Sequence, residues 1–450
     1  MFKQIKHIHF VGIGGSGMSG ISEVLLNLKY RVSGSDLKKT DVTEHLRKLG
    51  ARICIGHRAG NIIGADVVVT STAVSKTNPE VVDANAKKIP VIPRIEMLAE
   101  LARLKYAITI AGTHGKTTTT SLAALVLAKG GLDPTIVIGG RLKNLKSGAK
   151  LGRGEYLVAE ADESDGSFLK LAPTITVVTN IDNDHLDYYG TLENIKKAFI
   201  QHINLVPFYG SAILCSDDAN VREILPQVKR RYFTYGFNHN ADFSASNIKP
   251  AGVGHRFKVF FRKKKLGVVV LKCPGRHNIL NSLAAAAVGV QLGIPFAKIS
   301  AALGEFQGVG RRLELKGEKK GILVIDDYGH HPTEIKATIS AVKDGWPKRR
   351  LVVLFQPHRY SRTAHLYKEF GTSFGRADSA QILDIYSAGE KPIPGISSSL
   401  ILESVRKNGG KAEMFKGADA LVASLKPGDI VLTLGAGDVW KTGEEILKKI

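Results

Sequence analysis

A short glycine loop, placed between a β-branched segment and a run of small residues, is the feature that most limits how this chain can fold. Residues 108–111 lead into Gly112-Thr-His-Gly-Lys-Thr117, and a helical pattern follows to residue 128. A strand, a glycine turn and a helix start in this order direct backbone N–H groups towards a phosphate. The sequence therefore predicts a phosphate loop in an α/β domain, where Lys116 neutralises the transferable phosphate and Thr117 holds Mg²⁺. A tight turn with a surface lysine is the alternative.

A second glycine loop lies near the amino terminus. Residues 7–11 read as a strand, Gly12, Gly14 and Gly17 form Gly-x-Gly-x-x-Gly, and Asp36 ends the next predicted strand. This layout predicts binding of NAD(P) or another diphosphate-bearing nucleotide, without naming which. Residues 71–74 follow a further strand, and such a loop either lines the ligand crevice or is a plain connection.

Acidic residues follow two predicted strands of the phosphate-loop region. Residues 156–159 lead to Glu160, with Glu163 close behind, and residues 175–179 lead to a polar segment that contains His185. Carboxylates at strand ends of such domains commonly serve Mg²⁺. Glu160 is the preferred metal carboxylate because it ends the strand, with Glu163 as the competitor. His185 is either a metal ligand or a hydrogen-bonded residue of the core or surface.

The remaining chain continues the alternation of strands and helices. Residues 90–93 are extended and break the pattern, which places a domain boundary near Arg103, and residues 257–261 and 267–271 predict a hairpin. Two asparagines and a histidine at 277–281 open an alanine-rich helix and suit nucleotide contact, although capping alone would explain one of them. Beyond residue 322, polar clusters follow four strands, and their arginines at 359 and 362 favour anion recognition over burial.

Chain length, net charge and cysteine count limit the class of protein to which this sequence can belong. A chain of 450 residues should form two or three domains. The sequence contains no run of 18 apolar residues, so it predicts no membrane span. The net charge of +22 raises the question of nucleic acid, but the basic runs are scattered and not interleaved with aromatic residues, so anionic small substrates explain the charge as well. Three widely spaced cysteines predict neither a disulfide framework nor a zinc site, and suggest a reducing cytoplasm.

Taken together, these pieces resemble the Mur ligases of peptidoglycan synthesis. The resemblance covers nearly the whole chain, through residues 12–20, 112–119, 160–165 with Ser167 and Phe168, 179–186, 277–281, 326–332 and 356–362. It implies three α/β domains: an N-terminal Rossmann-like UDP-sugar domain (1–103), a central P-loop ATPase domain with a mainly parallel sheet (104–313) and a C-terminal Rossmann-like domain that binds the amino acid (314–450).

The resemblance also implies an activity. The segment 327–332 is similar to that of the members that add L-alanine or a murein peptide, so we expect ATP and Mg²⁺ to drive ligation of L-alanine to the lactyl carboxylate of UDP-N-acetylmuramate through an acyl phosphate. A recycling ligase that adds a preformed tripeptide to the same sugar nucleotide is the alternative within the family. A dehydrogenase using NAD and a nucleic-acid-dependent ATPase are the alternatives outside it. We expect a cytoplasmic monomer or weak homodimer, without nucleic acid or membrane insertion.

By resemblance, each site receives a set of residues. The catalytic residues are Lys116, His185 and Glu160, and the metal ligands are Thr117, Glu160 and His185. The ATP-binding residues are Gly112, Thr113, His114, Gly115, Lys116, Thr117, Thr118, His277, Asn278, Asn281, Arg311 and Asp326. The residues that bind UDP-N-acetylmuramate or L-alanine are Gly14, Gly15, Ser16, Gly17, Met18, Asp36, Ser71, Thr72, Tyr328, His330, His358, Arg359 and Arg362.

Overall fold

The computed structural model describes residues 5–71, 73–142 and 147–450 of the chain. Its strands are β1 (His7–Val11), β2 (Arg31–Asp36), β3 (Arg52–Ile55), β4 (Val67–Thr70), β5 (Val91–Pro93), β6 (Tyr106–Ala111), β7 (Thr135–Leu142), β8 (Ser147–Lys150), β9 (Tyr156–Glu160), β10 (Ile175–Val178), β11 (Ser211–Cys215), β12 (Tyr232–Gly236), β13 (Phe243–Ala251), β14 (Gly254–Phe261), β15 (Lys264–Leu271), β16 (Glu314–Lys319), β17 (Ile322–Asp327), β18 (Leu351–Phe355), β19 (Ser379–Ile382), β20 (Ala412–Met414) and β21 (Ile430–Leu434).

Helices alternate with these strands. They are α1 (Ser16–Asn27), α2 (Asp41–Lys48), α3 (Pro79–Ala86), α4 (Arg94–Ala102), α5 (Lys116–Gly130), α6 (Leu186–Tyr189), α7 (Leu192–Asn204), α8 (Ala219–Ile224), α9 (Arg276–Gln291), α10 (Phe296–Glu305), α11 (Pro332–Gly345), α12 (Tyr360–Gly371), α13 (Ser399–Lys407), α14 (Ala418–Ser424) and α15 (Val439–Lys449). Short 3₁₀ helices cover Ala59–Ile62, Ser167–Lys170 and Leu225–Gln227.

The first sheet is parallel throughout, in the order β3-β2-β1-β4-β5. Its central strand β1 is entirely buried, as its run of apolar and histidine residues requires. The prediction that residues 90–93 break the pattern is wrong, because Val91–Pro93 forms β5 and pairs with β4. Proline is tolerated there because β5 is an edge strand, where one side needs no ladder hydrogen bonds.

The second sheet has ten strands in the order β15-β14-β13-β12-β11-β10-β6-β9-β7-β8. Strand β6 pairs in parallel with β10 on one side and β9 on the other. The loop that follows β6 therefore lies between the loops that follow its two neighbours, where open α/β sheets bind their ligands. The predicted hairpin is confirmed as β14 and β15 at one edge.

The third sheet runs β16-β17-β21-β18-β19-β20, with only β16 antiparallel to its neighbour among the pairs described. Three buried aromatic rings, Phe355, Phe370 and Phe374, pack beneath it. The prediction of an α/β fold with mainly parallel sheets is confirmed. No helix in the described ranges combines the length and apolarity needed to cross a bilayer.

Residue contacts divide the chain into two compact units. The first unit runs to Ile248 and includes Phe257–Val269 and Leu280–Phe306. The second unit comprises Lys249–Arg256, Val270–Ile279 and Gln307–Ile450. The first unit therefore contains both predicted nucleotide loops, and the second contains the third sheet and its polar strand ends.

Candidate active site

The phosphate loop adopts a backbone that only glycine allows at two positions. Gly112 has a φ of +127° and Gly115, which precedes α5, has a φ of +83°. A Cβ atom on Gly112 would clash with the hydroxyl of Thr179, and one on Gly115 would lie 2.9 Å from Asn281 Oδ1. Both glycines are therefore required for the loop to pack against its neighbours.

The segment after β10 holds this loop in place. The Thr179 hydroxyl donates to the His114 carbonyl over 2.6 Å, and Asn180 Oδ1 accepts the His114 N–H over 2.8 Å. The His114 ring lies 2.9 Å from Asp182 Oδ2. Asp182 therefore helps to hold the His114 ring in position.

The start of α5 presents several backbone donors. The N–H groups of Gly115, Lys116, Thr117 and Thr118 donate to none of the residues that the structure describes. Unpaired N–H groups at a helix N-terminus form a site for an anionic oxygen cluster. The loop therefore fits a polyphosphate on its geometry as well as on its sequence.

Lys116 folds back into the same loop. Its Nζ donates to the Gly112 carbonyl over 2.7 Å and to the Glu163 carboxylate over 2.8 and 2.9 Å. Burial by itself would lower the pKa of Lys116, but the carboxylates of Glu163 and Asp162 raise it above its ordinary value. Lys116 is therefore a fixed positive charge beside the free N–H groups.

The residues around Lys116 also suit a hard divalent cation. Glu163 is 1% exposed, and its Oε1 lies 3.8 Å from Nε2 of His185. Glu160 ends β9 and acts electrostatically on Lys116, while the hydroxyl of Thr117 has no hydrogen-bond partner among the described residues. Oxygen donors of this kind are those that Mg²⁺ selects, so the donor set fits the ion. The geometry brings Glu163 next to both Lys116 and His185.

The first glycine loop is held by a residue at the end of the neighbouring strand β2. Asp36 Oδ2 accepts the Gly14 N–H over 2.8 Å, so this carboxylate holds the loop in addition to any ligand contact. Gly15 precedes α1, whereas the Met18 side chain packs in the hydrophobic core and can offer a ligand only its backbone. Ser71 directly follows β4 and is half-buried.

Three further residues that were predicted to bind the substrate are Ser16, Gly17 and Thr72. Thr72 lies outside the described residues, and Ser16 is described only as the first residue of α1. Gly17 lies in the first turn of α1 and packs against the guanidinium of Arg94. Nothing in the sequence singled out Arg94, which has no motif of its own.

In the second unit, the predicted ATP residues Arg311 and Asp326 bind each other. Arg311 Nε donates to Asp326 Oδ2 over 3.1 Å, and the guanidinium also donates to the carbonyls of Gly435 and Gly437. Asp326 Oδ1 accepts from the Thr433 hydroxyl over 2.6 Å. These bonds hold the glycine loop after β21 against the end of β17.

The predicted amino-acid pocket is brought together within this unit. The ring of His330 lies 5.4 Å from that of Tyr328 and 5.6 Å from that of His358, measured between centroids. His358 also stacks on Tyr386 and lies 3.3 Å from the Arg362 guanidinium. Aromatic faces, imidazoles and a cation thus converge where sequence analysis expected the substrate.

Arg359 has an unusual backbone and an uncommitted side chain. Its φ is +70°, and its N–H donates to the Tyr386 carbonyl over 2.9 Å. The guanidinium makes no hydrogen bond to any residue within the described ranges. The helix that it precedes is anchored by Glu390, whose carboxylate accepts from both the N–H and the hydroxyl of Ser361. Glu390 belongs to one of the four polar clusters predicted from the sequence, but its bonds to Ser361 could not be predicted there, because they join residues 29 positions apart.

The histidine and asparagines of α9 divide into different roles. Asn278 donates to the Pro274 carbonyl over 2.7 Å, a local bond that stabilises the helix start. His277 is deeply placed, and burial together with the nearby Arg312 lowers its pKa to about 4. Asn281 lies beside Gly115 of the phosphate loop, which keeps it a candidate for nucleotide contact.

Buried histidines should make the second unit sensitive to mild acid. Burial lowers the pKa of His277 to about 4 and that of His330 to about 3, from an ordinary value of 6.5. Below pH 6.5 these histidines bind protons in the unfolded chain but not in the folded protein, so the free energy of unfolding decreases as the pH is lowered. Asp327 has the opposite effect on the free energy of unfolding, because burial raises its pKa to about 6 and it therefore binds a proton in the folded protein before it does in the unfolded chain. We expect a net loss of about 2 kcal/mol in unfolding free energy between pH 7 and pH 5.

Tryptophan fluorescence can measure this loss, because both tryptophans, Trp346 and Trp440, lie in the second unit. Urea unfolding at pH 7 and pH 5 gives the two free energies. The double variant His277→Asn with His330→Asn is the matched control and should be no less stable at pH 5 than at pH 7. An equal loss in that variant would contradict the assignment.

Three family descriptions match the chain in order. "Mur ligase family, catalytic domain" covers residues 7–106, "Mur ligase middle domain" covers 110–289 and "Mur ligase, glutamate ligase domain" covers 311–437. A relative from Endomicrobium trichonymphae, named UDP-N-acetylmuramate–L-alanine ligase, is 65% identical over 450 residues, which are 100% of both chains.

Solved structures agree with this assignment. The UDP-N-acetylmuramate–alanine ligase of Thermotoga maritima matches with a TM-score of 0.83 and 29% identity over 98% of each chain. A murein peptide ligase of Psychrobacter arcticus matches with a TM-score of 0.74 and 25% identity, also over 98% of each chain. The chain belongs to the Mur ligase family, whose three domains it contains in order.

Proposed function

We propose that this protein joins L-alanine to the lactyl carboxylate of UDP-N-acetylmuramate and converts ATP to ADP and phosphate. The observation that carries the proposal is the loop at the start of α5, where a charged lysine lies beside several unpaired N–H groups. The relative that is 65% identical over its full length bears the name of this activity. The domain boundaries near residues 103 and 313 are part of the proposal and are consistent with the three matched ranges.

In the first step, the lactyl carboxylate attacks the γ-phosphate of ATP, and an acyl phosphate forms as ADP leaves. An anion that attacks a polyanion needs charge neutralisation and in-line positioning more than covalent help. Lys116 and the N–H groups of the loop supply that neutralisation. Thr117 and a carboxylate would hold one Mg²⁺ and His185 a second, and these ions would neutralise phosphate oxygens when bound. Glu160 is the carboxylate that the sequence favours, and Glu163 has the support of its position.

In the second step, the amine of L-alanine attacks the acyl carbon and phosphate leaves. Arg359 and Arg362 would bind the alanine carboxylate, because a guanidinium can form two parallel bonds to it. The rest of the alanine molecule would be enclosed by Tyr328, His330 and His358. The pKa of His330, lowered to about 3 by burial, keeps this imidazole neutral at neutral pH. A neutral imidazole leaves the alanine ammonium group free of repulsion from that side.

A phosphate-release assay tests the proposal. We expect ATP-dependent release only when UDP-N-acetylmuramate and L-alanine are both present, with the rate falling to background when any of the three is omitted. Release that continues without the sugar nucleotide would contradict the proposal. Replacing L-alanine by L-Ala-γ-D-Glu-meso-diaminopimelate separates the recycling ligase, and faster turnover with the tripeptide would favour that alternative.

A further inference from the structure

Arg94 occupies a position that connects the two glycine loops of the first unit. It begins α4 directly after β5. A Cβ atom on Gly17 would clash with Nη1 of Arg94 and lie 2.9 Å from its Cζ. The absence of a side chain at residue 17 is therefore what allows the guanidinium to lie against the first turn of α1.

The side chain of Arg94 is partly buried, and its guanidinium makes one long ion pair. Its side chain is 26% exposed, and its nearest carboxylate is Asp162, with Nη2 and Oδ2 3.8 Å apart. That distance makes an ion pair but not a hydrogen bond. Arg94 donates no hydrogen bond to any residue that the structure describes, and the N–H of Gly17 likewise has no described acceptor. None of its nitrogens is among the fully buried polar atoms that lack a partner, so these donors reach solvent and are accessible to an anion on the first glycine loop.

The two ends of this guanidinium face different charges. Nη2 faces the carboxylate of Asp162, with Oδ2 3.8 Å away. Nη1 points to Gly17 in the first glycine loop. An anion next to Nη1 would gain a cation without approaching the Asp162 carboxylate, whereas an anion on the Nη2 side would meet a like charge.

We propose that Arg94 binds the diphosphate of the sugar nucleotide, with its guanidinium donating to phosphate oxygens seated on the first glycine loop. This inference rests on the proposed function, since it assigns a residue to the same substrate. Backbone N–H groups alone read any phosphate, and Arg94 adds a side-chain cation that is held in position by Asp162. Asp162 also interacts electrostatically with Lys116. Asp162 therefore interacts with a cation beside the sugar-nucleotide loop and with a cation of the phosphate loop for ATP.

Calorimetric titration with UDP and steady-state kinetics test the assignment. Arg94→Ala should weaken UDP binding, and raise the KM for UDP-N-acetylmuramate, by about tenfold or more, with the KM for ATP changed less than twofold. Arg94→Lys keeps the charge without the planar guanidinium. Its UDP affinity and its KM for UDP-N-acetylmuramate should therefore lie between those of the wild type and Arg94→Ala. Arg103→Ala is the matched control, because Arg103 closes the same helix and makes an exposed ion pair with Glu100.

The outcomes separate this inference from the function on which it rests. If the wild-type protein binds UDP and Arg94→Ala binds it equally well, Arg94 is not a ligand residue and the function stands. If the variant raises the KM values for ATP and the sugar nucleotide alike, its role is structural and the inference is wrong. If the wild-type protein neither binds UDP nor uses UDP-N-acetylmuramate, the function and the inference fail together.

Discussion

Lys116→Ala should reduce ATP-dependent phosphate release by about a thousandfold while UDP binding stays unchanged. The lysine itself carries one of the unpaired N–H groups of the phosphate loop, and its Nζ is fixed by the Gly112 carbonyl and the Glu163 carboxylate. A pre-oriented cation in a partly dry site stabilises the developing charge far more than a mobile surface lysine does. UDP binding should be spared because Lys116 is no part of the first glycine loop.

The same substitution leaves Glu163 buried without its cation, which should cost about 3 kcal/mol of stability. The double variant Lys116→Ala with Glu163→Gln removes that unpaired charge, so its stability should recover while its activity should not. Lys129→Ala is the matched control, since Lys129 lies on the same helix in an exposed ion pair with Glu305. Recovery of activity in the double variant would show that the lysine acts only through folding, and loss of UDP binding would contradict the assignment of the two loops.

Much of the fold was predictable because its strands are buried runs with clear boundaries. Residues 7–11 form β1 as predicted, and residues 108–111 lie in the buried part of β6. The glycines of the phosphate loop were predictable for a related reason: a strand that turns into a helix around a phosphate needs positive φ angles, and Gly112 and Gly115 have them. Local chemistry was sufficient in these places.

Other features depend on contacts that the sequence does not display. The segment that ends at Pro93 was predicted to be extended but to break the pattern, and it is an edge strand instead, because proline is tolerated on the open side of a sheet. The sequence offered both Glu160 and Glu163 as metal carboxylates, and the ion pair between Glu163 and Lys116 depends on a fold of the loop that the sequence does not display. Arg94 became visible only through the space that Gly17 leaves for it.

Arg359 is the residue on which recognition of the amino acid should depend most. It adopts a φ of +70°, which costs a residue with a side chain about 1–3 kcal/mol, and its N–H bond to Tyr386 holds it there. Strain of this kind persists where it positions a group for function. Arg362 is partly engaged by His358, whereas the Arg359 guanidinium has no hydrogen bond to a described residue. Its donors are therefore available to a carboxylate.

Arg359→Ala should raise the KM for L-alanine about hundredfold, which corresponds to about 2.7 kcal/mol for two charge-assisted bonds, and change the KM for ATP less than threefold. Arg359→Lys should recover only part of the loss, because an ammonium group cannot form the parallel pair of bonds. Arg376→Ala removes an exposed arginine that pairs with Asp344 and should leave both constants unchanged. Equal rises in the KM for alanine and ATP would remove Arg359 from the amino-acid pocket, because a residue that binds only the alanine carboxylate has no means of weakening ATP.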